Sequence, residues 1–157
     1  MSPIDTVIIS TNFWRVPSVE RAFSGILEGC PSAEERIAII EEAKSARANW
    51  KPCAEGMQLV EQLKTFIGCR VRIQFWDSIM WMCDEEAPFP TEADCLGVIL
   101  QQHEGFLQAY LQVKNLKELP THEGYSSQGY FKQQVGSDVL LAPLADLYEV
   151  SKIGFIV

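Results

Sequence analysis

The sequence predicts an α+β fold. About three N-terminal helices (residues 1–68) pack on a C-terminal, mostly antiparallel sheet (residues 69–157) that forms a small β-barrel or a rolled sheet. Apolar residues before Gly68 recur at the three- and four-residue spacings of a helix, whereas those after Cys69 alternate with polar residues, as in a half-buried strand. Because Gly68 and Cys69 leave no linker between the two parts, residues 1–157 are expected to form a single compact unit.

Each of the three predicted helices has a start or stop signal. The first covers about 18–27 and shows one apolar face. Ser32 and Glu35 form a capping box that begins the second helix, which ends near Asn49. The third covers about 54–67 and is followed by a glycine. The residues expected to face the core are Ile39, Ala43, Ala46 and Trp50 for the second helix, and Met57, Val60, Leu63 and Ile67 for the third.

Four to six short strands are predicted after the helices, and one strand before them. In the first strand after the helices, Val71, Ile73 and Phe75 alternate with polar residues and are expected to face inward. The connection His103-Glu104-Gly105 separates two apolar runs and places glycine where a turn needs positive φ, so it predicts a β-hairpin. The predicted strands are 6–9, 69–75, 96–102, 106–113, 138–141, 144–150 and 153–157.

The charge of the chain argues against nucleic-acid binding. The formal net charge is −8, whereas a nucleic-acid binder usually carries a basic surface that displaces counterions from phosphates. Residues 1–68 contribute −2 of this charge and residues 69–157 contribute −6. Between Arg72 and Lys114 there are seven acidic residues and no Lys or Arg. A partner that binds this stretch is therefore expected to be neutral or cationic.

Targeting and membrane signals are missing from the sequence. The start, MSPIDTVIIS, has neither the basic region nor the long apolar region of a signal peptide, and no stretch reaches the roughly 18 apolar residues of a membrane span. A cytoplasmic location without membrane contact is therefore expected. The five cysteines contain no C-x-x-C pair and are expected to be free thiols.

No metal, cofactor or catalytic site is predicted. Cys83, Cys95 and His103 follow one another at spacings of twelve and eight residues, which fits no standard zinc site. The acids beside Cys83 lie among prolines and lack the glycine-centred pattern of a calcium loop. His103 and His122 fall in predicted turns and in no nucleophile–base motif, and no phosphate-binding glycine motif occurs. These observations favour a protein that is not an enzyme.

Two segments have the composition of an interaction surface. The first is FWDSIMWMCDEEAPFPTEADC (75–95), in which aromatic and methionine residues run into six acids. The second is the Gly/Tyr-rich loop 123–131, whose tyrosines supply amphipathic contact area. Each also has a plain structural interpretation, as a solvated acidic loop and as an Ω-loop packed on the sheet. The candidate partner-binding residues are Trp76, Met80, Trp81, Asp84, Glu85, Glu86, Tyr125, Tyr130 and Phe131.

The sequence therefore predicts a non-enzymatic, soluble interaction or assembly protein that presents an acidic, aromatic-edged surface to a protein partner or to itself. One alternative is a small-molecule-binding protein or enzyme with a pocket between helices and sheet, lined by Trp76, Met80, Trp81 and Tyr110. A second is a small barrel that binds single-stranded RNA by stacking bases on aromatic residues, namely Trp76, Tyr110, Tyr125, Tyr130 and Phe131. A homodimer is suggested by neutral outward strand faces, which carry Gln74, Gln101, Gln102, Gln108 and Gln112.

Overall fold

A computed structural model describes residues 5–9, 13–19, 29, 32–75, 91–118, 131–134 and 136–156. These residues form two α-helices and one seven-stranded antiparallel sheet, which confirms the predicted α+β fold. The elements are β1 (Thr6–Ile8), α1 (Ala33–Ala48), α2 (Ala54–Lys64), β2 (Cys69–Phe75), β3 (Thr91–His103), β4 (Phe106–Glu118), β5 (Lys132–Gln133), β6 (Leu140–Pro143), a 3₁₀ turn (Leu144–Asp146) and β7 (Leu147–Phe155).

The sheet is open, so the described strands do not form the predicted closed barrel. Its strand order is β1-β7-β2-β3-β4-β6-β5, and β1 and β5 lie at the two edges. The sheet nevertheless curls. The ring centroids of Phe75 in β2 and Phe131 just before β5 are 5.3 Å apart, although four strand spacings in a flat sheet would separate these strands by about 19 Å.

Two of the three predicted helices, the second and the third, are confirmed. Most of the first one, residues 20–28, lies outside the described residues. The predicted capping box starts α1, where Ser32 Oγ accepts a hydrogen bond from the backbone N–H of Glu35 at 3.2 Å. Within the described part of the chain, no helix combines the length and apolar character needed to cross a bilayer.

The prediction that α1 packs along an apolar stripe is wrong. None of its sixteen residues is buried, and Ile39 of the predicted stripe is 39 % exposed. Only its C-terminal end meets the sheet, where the Arg47 guanidinium lies 4.9 Å from the ring centroid of Phe106. Trp50, two residues beyond the helix, packs edge-on against Trp14 and Phe106. The stripe is too weakly apolar to hold the whole helix on this sheet.

Helix α2 provides the packing layer. Its buried residues Leu59, Val60 and Leu63 join the core. The predicted face is wrong at its end, where Ile67 is exposed and Phe66 is buried instead. The cause is local: after Lys64 the backbone bonds span three residues, and a three-residue turn places Phe66 directly beneath Leu63.

The β3–β4 hairpin is confirmed and is longer than predicted. Glu104 and Gly105 form its two-residue turn with φ of 53° and 85°, the left-handed pair that a type I′ turn requires. The strands extend beyond the predicted ends, chiefly through residues 91–95 of β3 and 114–118 of β4. These additions are rich in charge and lack an apolar pattern, and they are held by pairing across the strands.

The two ends of the chain meet in the sheet. Val7 of β1 pairs with Val150 of β7, so the strand that precedes the helices extends the sheet built after them. The predicted strand at 144–150 begins as a 3₁₀ turn, and β7 then runs without a break through Gly154. Pairing with β2 holds this stretch extended, since Gly154 lies opposite Arg70.

Replacing Glu104 by asparagine is expected to raise the free energy of unfolding by up to about 1 kcal/mol, because asparagine tolerates positive φ better than glutamate. The exposed Arg47–Glu104 ion pair is also lost, but such pairs contribute little. Urea unfolding measures the change. Glu104→Gln is the control, since it removes the same charge without easing the backbone. Equal stability of the two variants would refute the expectation.

Cys95 is expected to resist alkylation in the folded protein. It is buried, and burial raises the pKa of its thiol to about 11, so little reactive thiolate forms. Cys53 is half-exposed and serves as an internal control. Iodoacetamide labelling followed by peptide mass spectrometry should modify Cys53 in the native protein and Cys95 only after denaturation. Labelling of both cysteines at equal rates under native conditions would contradict the buried environment.

Candidate functional site

Four ends of strand segments meet at one end of the sheet. Strand β2 ends at Phe75, β3 begins at Thr91 and β4 ends at Glu118. Thr91 pairs with Ile73 on one side and with Glu118 on the other, so these three ends lie side by side. The fourth end is the start of β5. Phe131, which precedes that strand, lies at the same place, because its ring contacts that of Phe75 edge-on. We call this region, defined by Phe75, Thr91, Glu118 and Phe131, the sheet end.

Both predicted partner-binding segments are anchored at the sheet end. Residues 76–90 leave after Phe75, and residues 119–130 return at Phe131. Of the nine predicted partner-binding residues, Phe131 is described and is half-buried. The other eight lie outside the described residues: Trp76, Met80, Trp81, Asp84, Glu85, Glu86, Tyr125 and Tyr130. Nothing in the sequence indicated the convergence, because strand order depends on pairings between distant residues.

A cavity of about 340 Å³ opens beside Phe131 and is lined by Leu116, Phe131, Gln133 and Leu140. Three of these side chains are apolar and half-buried, and Gln133 supplies an amide. The volume lies at the lower end of the range of small-molecule sites, about 300–1,000 Å³. The cavity is large enough for an apolar side chain of a partner or for a small ligand.

The outer face of β4 is more covered than predicted. Gln108, which was expected on an outward face, is buried, and Tyr110, the predicted pocket or stacking residue, is only 4 % exposed. Residues 132–134 lie across this face: Lys132 Nζ is 6.0 Å from the Tyr110 ring centroid, and Gln112 donates to Gln134 Oε1 at 3.2 Å. Burial, reinforced by the Asp146 carboxylate, raises the pKa of Tyr110. Tyr110 therefore offers no ring face for stacking.

A hydrogen-bonded ion pair joins β2, β3 and β4 on this outer face. Asp94 accepts from Asn115 Nδ2 at 2.7 Å and from Arg70 Nη1 at 3.0 Å. Arg70 also donates to the backbone oxygen of Asn115 at 2.7 Å. The Asn115 hydrogen bond, with help from Arg70 and against the opposing effect of burial, holds the pKa of Asp94 below its usual value.

The arginines predicted to point outward from β2 are engaged with acids. Arg70 bonds to Asp94, and Arg72 Nη2 lies 3.2 Å from Glu92 Oε2. These arginines do not provide the free positive charge that a phosphate-binding groove needs. Over the described ranges, no three His, Cys, Asp or Glu side chains come together in a way that could hold a metal ion.

Replacing Asp94 by alanine is expected to lower the free energy of unfolding by about 1–3 kcal/mol at neutral pH, since Arg70 and Asn115 lose their acceptor. The pKa of Asp94 is lower in the folded state than the 3.8 of a free aspartate, so its contribution is complete above that value and is lost as pH falls below it. Urea unfolding at neutral pH and below pH 3.8 should therefore show a difference from wild type that shrinks on acidification.

Arg72→Met is the control, because Arg72 is 46 % exposed, against 22 % for Arg70, and its removal should cost less than Asp94→Ala does. If both substitutions had the same effect at both pH values, the Asp94 network would be no more than a surface ion pair.

Similarity to known proteins does not narrow the function of the sheet end. No family model matches the chain, and neither a curated protein nor a solved structure does. The function is therefore inferred from the geometry and the charge of the chain.

Proposed function

We propose that this is a non-enzymatic interaction protein that binds a protein partner at the sheet end. The observation that carries the proposal is the contact between Phe75 and Phe131, which anchors the acidic segment and the tyrosine-containing segment side by side. Trp76 and Tyr130 are bonded to these two residues, and neighbouring Cα atoms are about 3.8 Å apart. Aromatic residues near a central anchor are typical of binding hot spots.

The composition of the two segments defines the partner. Residues 76–90 and 119–130 together contain five acids and no Lys or Arg. A partner with a basic surface is attracted by this charge and therefore associates faster, and the attraction weakens as the salt concentration rises. The cavity beside Phe131 can receive an apolar side chain of the same partner. The proposed partner therefore presents basic residues around an apolar anchor.

The proposal is tested by capture from a native lysate of the source cells on the immobilised chain, with wild type compared with Asp84→Asn/Glu85→Gln/Glu86→Gln. We expect the wild-type chain to retain a specific protein that the neutralised variant loses. Isothermal titration with that protein should show affinity falling at least about tenfold in the variant, since three charges are removed from the contact. Raising the salt concentration should weaken the wild type more than the variant.

The matched control neutralises three exposed acids elsewhere, Asp5→Asn/Glu55→Gln/Glu61→Gln. This control has the same net charge as the test variant and should bind as the wild type does. Equal losses in both variants would mean that only net charge matters, and a wild-type chain that retains nothing would overturn the proposal.

Binding of a small apolar molecule is a second candidate function, favoured by the cavity beside Phe131. A ligand that binds only the folded state raises the melting temperature by mass action. A thermal-shift screen with Leu140→Trp, which fills the cavity, as the comparison variant would detect it. Single-stranded RNA binding has less support, because Arg70 and Arg72 each face a carboxylate.

A further inference from the structure

Among the described residues, the distal half of β3 has a strand partner on one edge only, and we call its other edge the free edge. Strand β2 pairs with β3 only from Thr91 to Asp94. Beyond that point, Gly68 N–H donates to Cys95 O at 3.0 Å, and from Leu96 to His103 the described residues provide a strand partner on the β4 side alone. This edge lies at the opposite end of β3 from the sheet end. A strand edge that has no partner among the described residues is a template for pairing with another strand.

The composition of this edge suits pairing with itself. Residues 95–102 contain no charged side chain, although the chain as a whole has a net charge of −8. When two identical strands pair antiparallel about a two-fold axis, residues near the axis face themselves or their neighbours. A charge there would oppose its own copy and repel it. Two copies of this acidic chain can therefore approach along the neutral edge without such repulsion.

Exposed apolar residues flank the free edge. Leu100, near its middle, is 40 % exposed, and Ile67, which precedes the Gly68–Cys95 hydrogen bond, is 50 % exposed. A second copy paired along β3 would cover Leu100 directly. It would also bring its hairpin tip beside Ile67, because antiparallel pairing places the tip of one copy at the Cys95 end of the other.

The charges at the two ends of the edge are complementary. Glu104 lies at the hairpin tip, and Lys64 lies in the last turn of α2, at the Cys95 end. Antiparallel pairing brings the tip of one copy to the α2 end of the other, and therefore Glu104 toward Lys64. Both side chains are already held only in exposed ion pairs, which can rearrange at little cost.

We infer that two copies of this chain associate through the free edges of β3, paired antiparallel about a two-fold axis into one continuous fourteen-stranded sheet. A stable interface buries about 800 Å² per partner, which is more than one strand edge provides. Helix α1 supplies further surface, since none of its residues is fully buried and Arg47 holds its end at the hairpin tip. An isolated helix of this length is marginal in water, and the second copy offers the exposed part of α1 a surface.

The test is sedimentation equilibrium of the intact chain and of Leu100→Lys. Wild type is expected to sediment at twice its mass of 17.7 kDa. Leu100→Lys puts like charges together at the axis and should weaken dimerisation at least about tenfold. Ile153→Lys is the matched control, because Ile153 is 43 % exposed on β7 and the charge change is the same; it should remain dimeric. Circular dichroism checks that both variants are folded.

Amide hydrogen exchange gives a second readout. Protection of residues 96–103 should rise with protein concentration in the wild type and stay low in Leu100→Lys. A wild-type monomer at its highest attainable concentration would overturn the inference, as would a dimer that survives Leu100→Lys or dissociates with Ile153→Lys. If Asp84→Asn/Glu85→Gln/Glu86→Gln abolished the dimer, self-association would belong to the sheet end, and the β3 edge would be excluded while the proposed function stood.

Discussion

The left-handed turn at Glu104–Gly105 is the constraint on which the sheet depends. It fixes the register of two thirteen-residue strands, so that His103 lies opposite Phe106. A slip of one residue would turn every side chain of a strand to the opposite face, and Leu111 would lose its place in the core. Both β2 and β6 attach to the sides of this hairpin, so the position of the remaining strands follows from the register set at the turn.

The hairpin has a charged half and a neutral half, and the two halves differ in how they pair with neighbouring strands. Near Thr91 the strands carry acids and bases that pair across β2, β3 and β4, as Asp94 does with Arg70. These pairs are satisfied within the chain and specify which strands are neighbours. The distal half, from Leu96 to the turn, has no such charges and runs past the end of β2. One half of β3 is therefore paired on both sides, by β2 and β4, whereas the described residues pair the other half on the β4 side alone.

Helix α1 shows that the local signals which stabilise a helix can be present without the packing that would bury it. Its capping box, the acids of its first turn and Arg47 in its last turn all stabilise a helix without reference to the rest of the chain. The capping box was readable in the sequence and predicted the helix correctly. The apolar stripe also predicted burial, and that was wrong, because the stripe is too weakly apolar to hold the helix on the sheet.

The sequence by itself determined the elements whose causes are local: α1 and α2 through caps and apolar period, β2 through alternation, and the hairpin through its glycine turn. Only the tertiary structure decided which strands are neighbours, that β1 joins β7, and that Phe131 meets Phe75. Charged extensions such as Thr91–Asp94 were missed for the same reason, because they become strands through partners far away in the chain. The sequence therefore showed the composition of the two candidate segments. It did not show that they are anchored at the same place, because pairings between distant residues leave no local pattern.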